Sequence, residues 1–270
     1  MCEIRHVTDP DFRFDYIAQE TTLNFSHVTE KPSASIRANV GANHRANQYT
    51  ACLAIDESTR RDAFALRYRS YLSSGFIEKN ATELFADKFD DMSSTQTVVI
   101  YGQDKPLASI RLCYLSRHDS TSSPAQGTFP EAVKQLLEGS PAGQHGHEAV
   151  ELTRLVRCPS AANNQGLVFL LLRVAGHLAL QTDFRMILSC VRQHHVAFYK
   201  RLRFQEATGP RPYPGLTCPM QMLTCTRADY DEARAGFPII DPDATSTGSL
   251  DGILNGEVVS LSLSRQSKAI

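Results

Sequence analysis

Two stretches of the sequence decide the predicted fold: Glu151-Leu-Thr-Arg-Leu-Val-Arg157 and, further along the chain, Phe198-Tyr-Lys-Arg-Leu-Arg-Phe204. The first sets charged residues between apolar ones, which indicates a strand, and the second closes a helix and leads into another strand. Between them lie the loop Asn163-Asn-Gln-Gly166 and an apolar segment, 167–180, that is long enough for a helix. This alternation of strands and helices predicts an α/β fold.

The composition excludes some classes of partner. The chain has 270 residues, of which 42 % are hydrophobic, so it can bury a substantial core, and we expect one large domain with extensions. Its formal net charge of -1 gives no general attraction to nucleic acid or to an anionic membrane surface. We therefore expect no nucleic-acid partner.

Cysteine usage and hydropathy indicate a compartment. The seven cysteines are odd in number, scattered and without a CxxC pair, as in proteins of a reducing compartment. No window approaches the roughly 20 uninterrupted apolar residues of a membrane span. The first residues lack the basic and apolar regions of a secretory signal. These observations predict a soluble cytoplasmic protein with no membrane span.

Changes of composition along the chain predict three regions. Residues 1–48 are polar and mixed, and we expect an N-terminal extension that is poorly ordered or loosely docked. Residues 49–230 hold the strand and helix patterns of the folded domain. Residues 231–270 are rich in Asp, Ser, Thr and Gly and form a C-terminal extension, in which the alternation at 259–263 predicts one more strand.

Periodicity, capping residues and turn residues predict the elements of the folded domain. The predicted strands are 49–55, 95–101, 106–115, 149–158, 185–190 and part of 216–226. The predicted helices are 56–73, 130–137, 164–181 and 194–202. We expect the acidic stretch 75–91 and the Ser-, Pro- and Gly-rich stretch 116–128 to be loops.

Charged residues inside predicted strands are the first candidates for a site. Glu151 and Arg154 lie in a strand flanked in sequence by helices, where a charge is costly unless it is paired or faces a cavity. Their separation of three residues places them on opposite faces of a regular strand, so only a bulge lets both reach one site. From the residues alone, a structural ion pair and a catalytic pair are equally good interpretations. Arg111 is a third embedded charge, for which an edge strand facing water is the alternative.

Four short motifs occur in an order that resembles a known group of enzymes. They are Arg67-Tyr-Arg69, Asp87-Lys-Phe-Asp90, Ser109-Ile-Arg-Leu112 and Glu151-Leu-Thr-Arg154. Over about residues 50–228 the chain resembles the acyl-homoserine-lactone synthases and, more closely, the long-chain N-acyl amino acid synthases, two branches of the GNAT acyltransferase fold. The resemblance implies a GNAT-like fold, with a mixed central sheet that is splayed between two core strands and flanked by helices.

The resemblance also implies a reaction. A fatty acyl group would move from a phosphopantetheine thioester, carried by acyl carrier protein or coenzyme A, to the amine of an amino acid or related small molecule. No permanently bound cofactor is implied. Glu151 is the candidate base, acting directly or through water, because an amine must lose a proton when it attacks a thioester. Tyr199 is the candidate acid for the departing thiolate, with aromatic packing as an equally good alternative.

The other charged motif residues are implied to bind the acceptor. Arg67, Arg111 and Arg154 are the candidates for its carboxylate or for orienting the base, since guanidinium groups form forked pairs with carboxylates. Asp87 and Asp90 are expected to hold a mobile loop against these arginines.

The implied donor-binding loop departs from the usual pattern of the fold. GNAT enzymes hold the diphosphate of coenzyme A on a glycine-rich loop, and the matching segment here contains one glycine. Its residues are the candidates for binding the donor, since amides at the start of a helix can bind a phosphate. They are Asn163, Asn164, Gln165, Gly166 and Leu167.

Two other functions stay open at the level of sequence. A short-chain N-acetyltransferase that uses acetyl-CoA shares the fold and differs in the depth of its pocket. A non-catalytic module that binds an acyl ligand is favoured by the missing loop glycines. The apolar residues at 167–180 and 186–188 can line a tunnel for a long acyl chain or fill the core solidly. Metal catalysis is not expected, because the histidines lack matched ligands.

Overall fold

The computed structural model describes residues 48–118, 123–138, 148–244 and 249–263. The predicted N-terminal extension lies outside these residues, apart from Gln48. The described part of the chain contains nine strands: β1 Gln48–Leu53, β2 Thr95–Gly102, β3 Lys105–Leu115, β4 Ala149–Arg157, β5 Met186–Val191, β6 Gln205–Glu206, β7 Arg211–Tyr213, β8 Leu216–Thr226 and β9 Val259–Ser262. It also contains six α-helices: α1 Glu57–Ser73, α2 Pro124–Thr128, α3 Pro130–Glu138, α4 Gly166–Leu180, α5 Val196–Arg201 and α6 Arg227–Gly236.

The predicted strands and helices are confirmed, with ends that shift by at most two residues. The prediction of a continuous loop at 116–128 is wrong where α2 forms. The side chain of Ser123 accepts a hydrogen bond from the Gln126 amide and so caps the start of α2, which proline also favours. The short strands β6 and β7 and the helix α6 are not predicted from the sequence, because they lie in polar stretches with weak periodicity.

The described strands form a mixed sheet in the order β6-β8-β5-β4-β3-β2-β1-β9, and β7 pairs with β8. β4 and β5 pair in parallel, whereas the other neighbours are antiparallel. Helices α1 and α4 both pack on the centre of the sheet. In β3, Ile110 and Leu112 belong to the core under α4, while Arg111 bonds to the acidic loop that follows α1. The predicted mixed sheet flanked by helices is confirmed.

The sheet opens between β4 and β5. These strands pair at Ala149 with Met186, at Val150 with Ile187, and at Glu151 with Leu188, and the ladder ends there. β4 nevertheless continues to Arg157, and β5 continues to Val191. We call the space between the unpaired parts, 152–157 and 189–191, the β4–β5 gap. The predicted splay between two core strands is confirmed.

A bulge in β4 rearranges the side chains at this gap. Ser109 of β3 lies opposite Val156, but Arg111 lies opposite Thr153, so β4 has one extra residue between these pairs. Arg154 within the bulge has a φ of 54°, in the left-handed region that a residue with a side chain adopts at a cost of about 1 kcal/mol or more. The bulge that the sequence argument requires is therefore present, and it turns Arg154 toward the face of Glu151.

The opposite face of the sheet is apolar. Leu170, Leu171 and Val174 of α4 are buried and belong to one core cluster with Leu152 and Ile187. Each aliphatic side chain of this size stabilises the fold by roughly 1.5–3 kcal/mol when buried. A cavity of about 20 Å³ remains between α4, α5, α6 and the sheet, which is close to the minimum that holds one water molecule. The described residues thus show α4 and β5 packed as a core.

Residues of the C-terminal region join this core. The side chain of Arg173 in α4 is buried, and its guanidinium donates hydrogen bonds to the carbonyl oxygens of Asp241, Pro242 and Ala244 at 2.9–3.1 Å. The predicted strand near the C-terminus is confirmed as β9, which pairs with β1. The predicted limits of the domain, at 48/49 and 230/231, stay predictions.

Candidate active site

Five charged side chains from four elements form a cluster on the face of the sheet that carries α1. Arg67 comes from α1, Arg111 from β3 and Arg154 from the bulge in β4. Asp87 and Asp90 come from the loop between α1 and β2, at a 3-10 helix, Lys88–Asp91. The structure therefore brings together all five residues that the sequence assigns to acceptor binding, and we call them the charge cluster.

Arg111 lies at the centre of the charge cluster. Its Nη1 and Nη2 atoms donate to Oδ1 and Oδ2 of Asp87 at 2.6 and 3.1 Å, which is a forked pair, and Nη1 also lies 2.9 Å from Oδ1 of Asp90. Arg67 donates to the same Asp90 oxygen at 2.7 Å, and Arg154 donates to Oδ2 of Asp87 at 2.8 Å. Each carboxylate thus links two arginines from different elements, so the acidic loop is fastened to the sheet and to α1.

Local bonds pre-form the acidic loop. The side chains of Asp87 and Asp90 cap the 3-10 helix reciprocally, because Asp87 accepts from the Phe89 amide and Asp90 accepts from the Asp87 amide. The ring of Phe85 lies 4.8 Å from the guanidinium of Arg154, and the ring of Phe89 lies 5.7 Å from that of Arg111. The expected role of the two aspartates, holding this loop against the arginines, matches these contacts.

The charge cluster carries one surplus positive charge, since three guanidinium groups face two carboxylates. Burial opposes the charged form of Asp87, but hydrogen bonds and charge from Arg111 and Arg154 outweigh it and lower its pKa to about 2. Arg67 Nε, Arg111 Nε and Arg154 Nη1 are buried and have no hydrogen-bond partner among the residues that the structure describes. A cluster with surplus charge and unused donors is suited to an additional anionic group.

Glu151 lies beside the charge cluster, on the same face of β4, and its side chain is fully buried. Its Oε2 accepts a hydrogen bond from the Ala125 amide at the start of α2 at 2.8 Å, and its Oε1 accepts one from the Tyr213 hydroxyl at 2.9 Å. The Cys190 thiol lies next to both groups, and its pKa is raised well above the ordinary value by burial and by the charge of Glu151. Two neutral donors therefore hold this carboxylate at the paired end of the β4–β5 gap.

Tyr213 is the residue of this site that sequence reasoning misses. Its buried hydroxyl also lies 3.2 Å from Oγ1 of Thr153, and its ring centroid lies 5.6 Å from the guanidinium of Arg154. It ends the short strand β7 and leads into a turn where Gly215 has a φ of 75° and the Pro214 carbonyl accepts from Arg154. The Pro-Gly pair is the signal in the sequence that could have revealed this hairpin.

Tyr199, the predicted acid, lies on the other side of β5. Its ring lies in the core under α4. The ring centroid of Tyr199 is 5.4 Å from that of Phe198 and 5.2 Å from that of Phe204. Burial raises the pKa of its hydroxyl, and a hydrogen bond with Ser189 of β5 opposes that shift. The structure thus places Tyr199 beside the β4–β5 gap, whereas Glu151 faces α2 and β7.

The predicted donor-binding loop forms hydrogen bonds within its own backbone. The backbone amides of Asn164, Gln165, Leu167 and Val168 donate to carbonyl oxygens within residues 161–165. The Asn164 side chain donates to the hydroxyl of Tyr49 in β1 at 2.9 Å.

The single glycine of this loop lies against Leu263, which follows β9. A Cβ atom at Gly166 would overlap a methyl group of Leu263. This methyl group is the end of a flexible side chain, so a larger residue at position 166 requires Leu263 to move. The loop borders the start of α4, as predicted.

The described ranges contain neither a helix suited to span a membrane nor a group of metal ligands. No helix there is long and apolar enough to cross a membrane. Among the same residues, no group of three or more His, Cys, Asp and Glu side chains is placed to hold a metal ion.

Comparison with known proteins finds relatives by sequence and by fold. The sequence model of the N-acyl amino acid synthase FeeM matches residues 62–226, well over half of the chain. The solved structure of FeeM, an N-acyl amino acid synthase from uncultured soil microbes, is similar with a TM-score of 0.55 and 14 % identity, over 69 % of this chain and 93 % of that chain. No curated protein sequence matches the chain.

A second solved structure has the same fold. It is that of BjaI, a CoA-dependent acyl-homoserine lactone synthase, with a TM-score of 0.52 and 12 % identity, over 77 % of this chain and 98 % of that chain. The resemblance to both groups of synthases and the predicted GNAT-like fold are confirmed.

Proposed function

The chain belongs to the N-acyl amino acid synthase family FeeM and is an acyltransferase, and from this premise we propose that it moves a fatty acyl group from a phosphopantetheine thioester to the amine of an amino acid. One observation carries the proposal: the parallel ladder of β4 and β5 ends at Glu151, where a buried carboxylate and the charge cluster lie together. An extended donor can pair with the free strand edges of the β4–β5 gap and present its carbonyl there.

The proposed reaction is a direct attack of the amine on the thioester. The amine nitrogen forms a bond to the carbonyl carbon, and Glu151 accepts the proton that the nitrogen loses, directly or through water. The C–S bond then breaks, and the thiolate takes a proton, for which Tyr199 is the proposed source. Tyr199 borders the gap through its contact with Ser189 of β5, which supports this role.

The charge cluster is the proposed site for the acceptor's carboxylate. Arg67, Arg111 and Arg154 leave one positive charge after pairing with the two aspartates. Arg154 is the strongest candidate for direct contact, because its Nη1 is an unused donor and its position in the bulge places it on the face of Glu151. An acceptor held by its carboxylate would bring its α-amine toward that base.

The proposed donor is an acyl group on acyl carrier protein or on coenzyme A. The related BjaI is CoA-dependent by its description, and both carriers share the phosphopantetheine arm. Residues 163–167 are proposed to border the donor where it passes the start of α4. Because the amides of Asn164, Gln165 and Leu167 already have partners, we propose side-chain contacts for this segment.

A short-chain acetyltransferase is the second candidate, and a specific observation favours it. The cavity between α4 and the sheet measures about 20 Å³, so a long acyl chain needs side chains of the core to move apart. A long chain offers compensation, since each buried methylene contributes roughly 0.8 kcal/mol. Assays with acetyl and dodecanoyl thioesters distinguish the two candidates, and faster turnover of the acetyl donor would favour the second.

The decisive experiment replaces Glu151 by Gln, which keeps the size and removes the base. We expect turnover of a fatty acyl thioester with an amino acid to fall by a factor of about 10²–10⁴. Glu131→Gln, at an exposed site on α3, is the matched control and should keep the wild-type rate. Mass spectrometry should detect an amide-linked fatty acyl amino acid with the wild type and the control. An unchanged rate in a folded Glu151→Gln protein contradicts the assignment.

A further inference from the structure

A second group of basic residues lies at the open end of the β4–β5 gap. Arg157 is the last residue of β4, while Arg192 and His195 follow β5 directly. Nη2 of Arg192 lies 3.2 Å from Nε2 of His195, and the guanidinium carbon of Arg192 lies 4.3 Å from the ring centroid of Phe76. We call Arg157, Arg192 and His195 the gap-mouth cluster. It lies at the end of the gap opposite Glu151.

Positive charges from both strands act on His195 at this opening. The pKa of His195 is lowered to about 3 by burial and by the positive charges of Arg192, His194 and Arg157. His195 is therefore neutral at pH 7, and the two guanidinium groups keep their charges. β4 and β5 run in parallel, so Arg157 at the end of β4 and Arg192 just after β5 lie toward the same end of the gap, and the charges of both act on His195.

The charge of Arg157 has no carboxylate to balance it among the described residues. Burial lowers the pKa of Arg157, and no acidic side chain raises it. Its Nη1 atom is buried without a hydrogen-bond partner. A guanidinium in a partly dry position is costly unless an anion or an acceptor joins it. An anion bound at Arg157 would remove that cost, and the charge of Arg192 would attract the same anion.

The length of the gap indicates which anion fits at its open end. Because of the bulge, Glu151 and Arg157 lie opposite Cys113 and Ala108, five residues apart in β3, so at about 3.3 Å per residue Arg157 lies about 17 Å along β4 from Glu151. An extended pantetheine arm has thirteen bonds from sulfur to phosphorus and spans about 15 Å at the reach of an extended chain. A phosphate held at Arg157 therefore brings the thioester to within about 5 Å of the Glu151 position.

We propose that the gap-mouth cluster binds the phosphate of the donor's phosphopantetheine arm, with Arg157 and Arg192 as its ligands. The inference rests on the proposed function, because it assumes a thioester donor. It places the main electrostatic contact on side chains at the ends of two strands and not on the loop 163–167, where the amides of Asn164, Gln165 and Leu167 have internal partners. The chemistry is common to acyl carrier protein and coenzyme A, which both carry this phosphate.

The test compares two donors that differ in the phosphate, acyl-phosphopantetheine and acyl-pantetheine. We expect the wild type to prefer the phosphorylated donor in kcat/KM by about 10- to 100-fold, as for charge-assisted hydrogen bonds. Arg157→Gln and Arg192→Gln should each remove most of this preference. Arg61→Gln, at an exposed position of α1, is the matched control and should retain it. The preference is a ratio within one protein, so partial misfolding of a variant cancels.

The outcomes separate this inference from the proposed function. A wild type without a preference for the phosphate overturns the inference, and so does an Arg157→Gln protein that keeps it. Equal losses with acyl-CoA and with acyl carrier protein support the shared phosphate, whereas a loss confined to acyl carrier protein points to a protein surface and overturns it. If no donor reacts, the proposed function fails. Calorimetry with phosphopantetheine and pantetheine then decides: binding that depends on the phosphate and on Arg157 supports the inference, and its absence overturns it.

Discussion

The two faces of β4 differ in polarity and in charge. Toward α4, Val150 and Leu152 join an apolar core, and toward the acidic loop Glu151, Thr153 and Arg154 form a polar network. In a regular strand, Arg154 would share the face of Leu152 and place its charge in the core. The extra residue in the bulge prevents this. A shift of one residue in the register of β4 therefore decides whether the Arg154 guanidinium lies in the site or in the apolar core.

Removing the centre of the polar face should have the largest effect. In Arg111→Met, the carboxylates of Asp87 and Asp90 lose a buried partner, so we expect the free energy of unfolding to fall by about 3–5 kcal/mol. Urea denaturation measures this change. Arg60→Ala is the control, because Arg60 pairs with Asp91 at the surface and should cost less than about 1 kcal/mol. Equal effects of the two variants would show that burial does not strengthen the network.

Enlarging the cavity on the apolar face should have the next largest effect on stability. Leu152→Ala enlarges the space beside the existing cavity, and we expect a loss of about 3 kcal/mol in unfolding free energy. The polar face should keep its function, so kcat with a short acyl donor should change little. A large fall in kcat at constant stability would show that the two faces are coupled.

The pH dependence of stability should show the polar face directly. The ordinary pKa of an aspartate is 3.8, and that of Asp87 is lowered to about 2. Its contribution, about 2 kcal/mol, is therefore present above pH 4 and is lost as the pH falls toward 2. Unfolding at pH 5 and at pH 2.5 measures this loss. Asp87→Asn should be less stable at pH 5 and should lose less on acidification, and an unchanged pH dependence in this variant contradicts the assignment.

The smallest effect should come from Tyr213→Phe. The ring stays in place, but Oε1 of Glu151 loses its hydrogen-bond donor, so we expect a loss of about 1.5 kcal/mol in unfolding free energy. Tyr68→Phe, at a buried tyrosine of α1, is the control. If Tyr213 also orients the proposed base, the pH profile of kcat should shift in Tyr213→Phe and stay unchanged in the control.

Much of the fold follows from local patterns in the sequence. The apolar run at 167–180 predicts α4, and the turn composition of 102–105 between two strand-like stretches predicts β2 and β3 within a residue of their observed ends. The short helix α2 is missed, because Ser, Pro and Gly are typical of loops and the cap of Ser123 is visible only when the helix exists. Tyr213 is missed because a three-residue strand has no periodicity to detect.

Periodicity and motif order are local properties of the chain, so they are sufficient to predict the order of the elements and the charged residues of the candidate site. Tertiary structure alone decided which of these residues meet. It placed the Asp87 loop against Arg111 and Arg154, and it set Glu151 against Tyr213 and the start of α2. The reason is physical: one extra residue in β4 and three paired residues between β4 and β5 set the direction of every side chain at the site. The spacing of Glu151 and Arg154 in the sequence requires a bulge if both residues serve one site, but only the structure shows that they do.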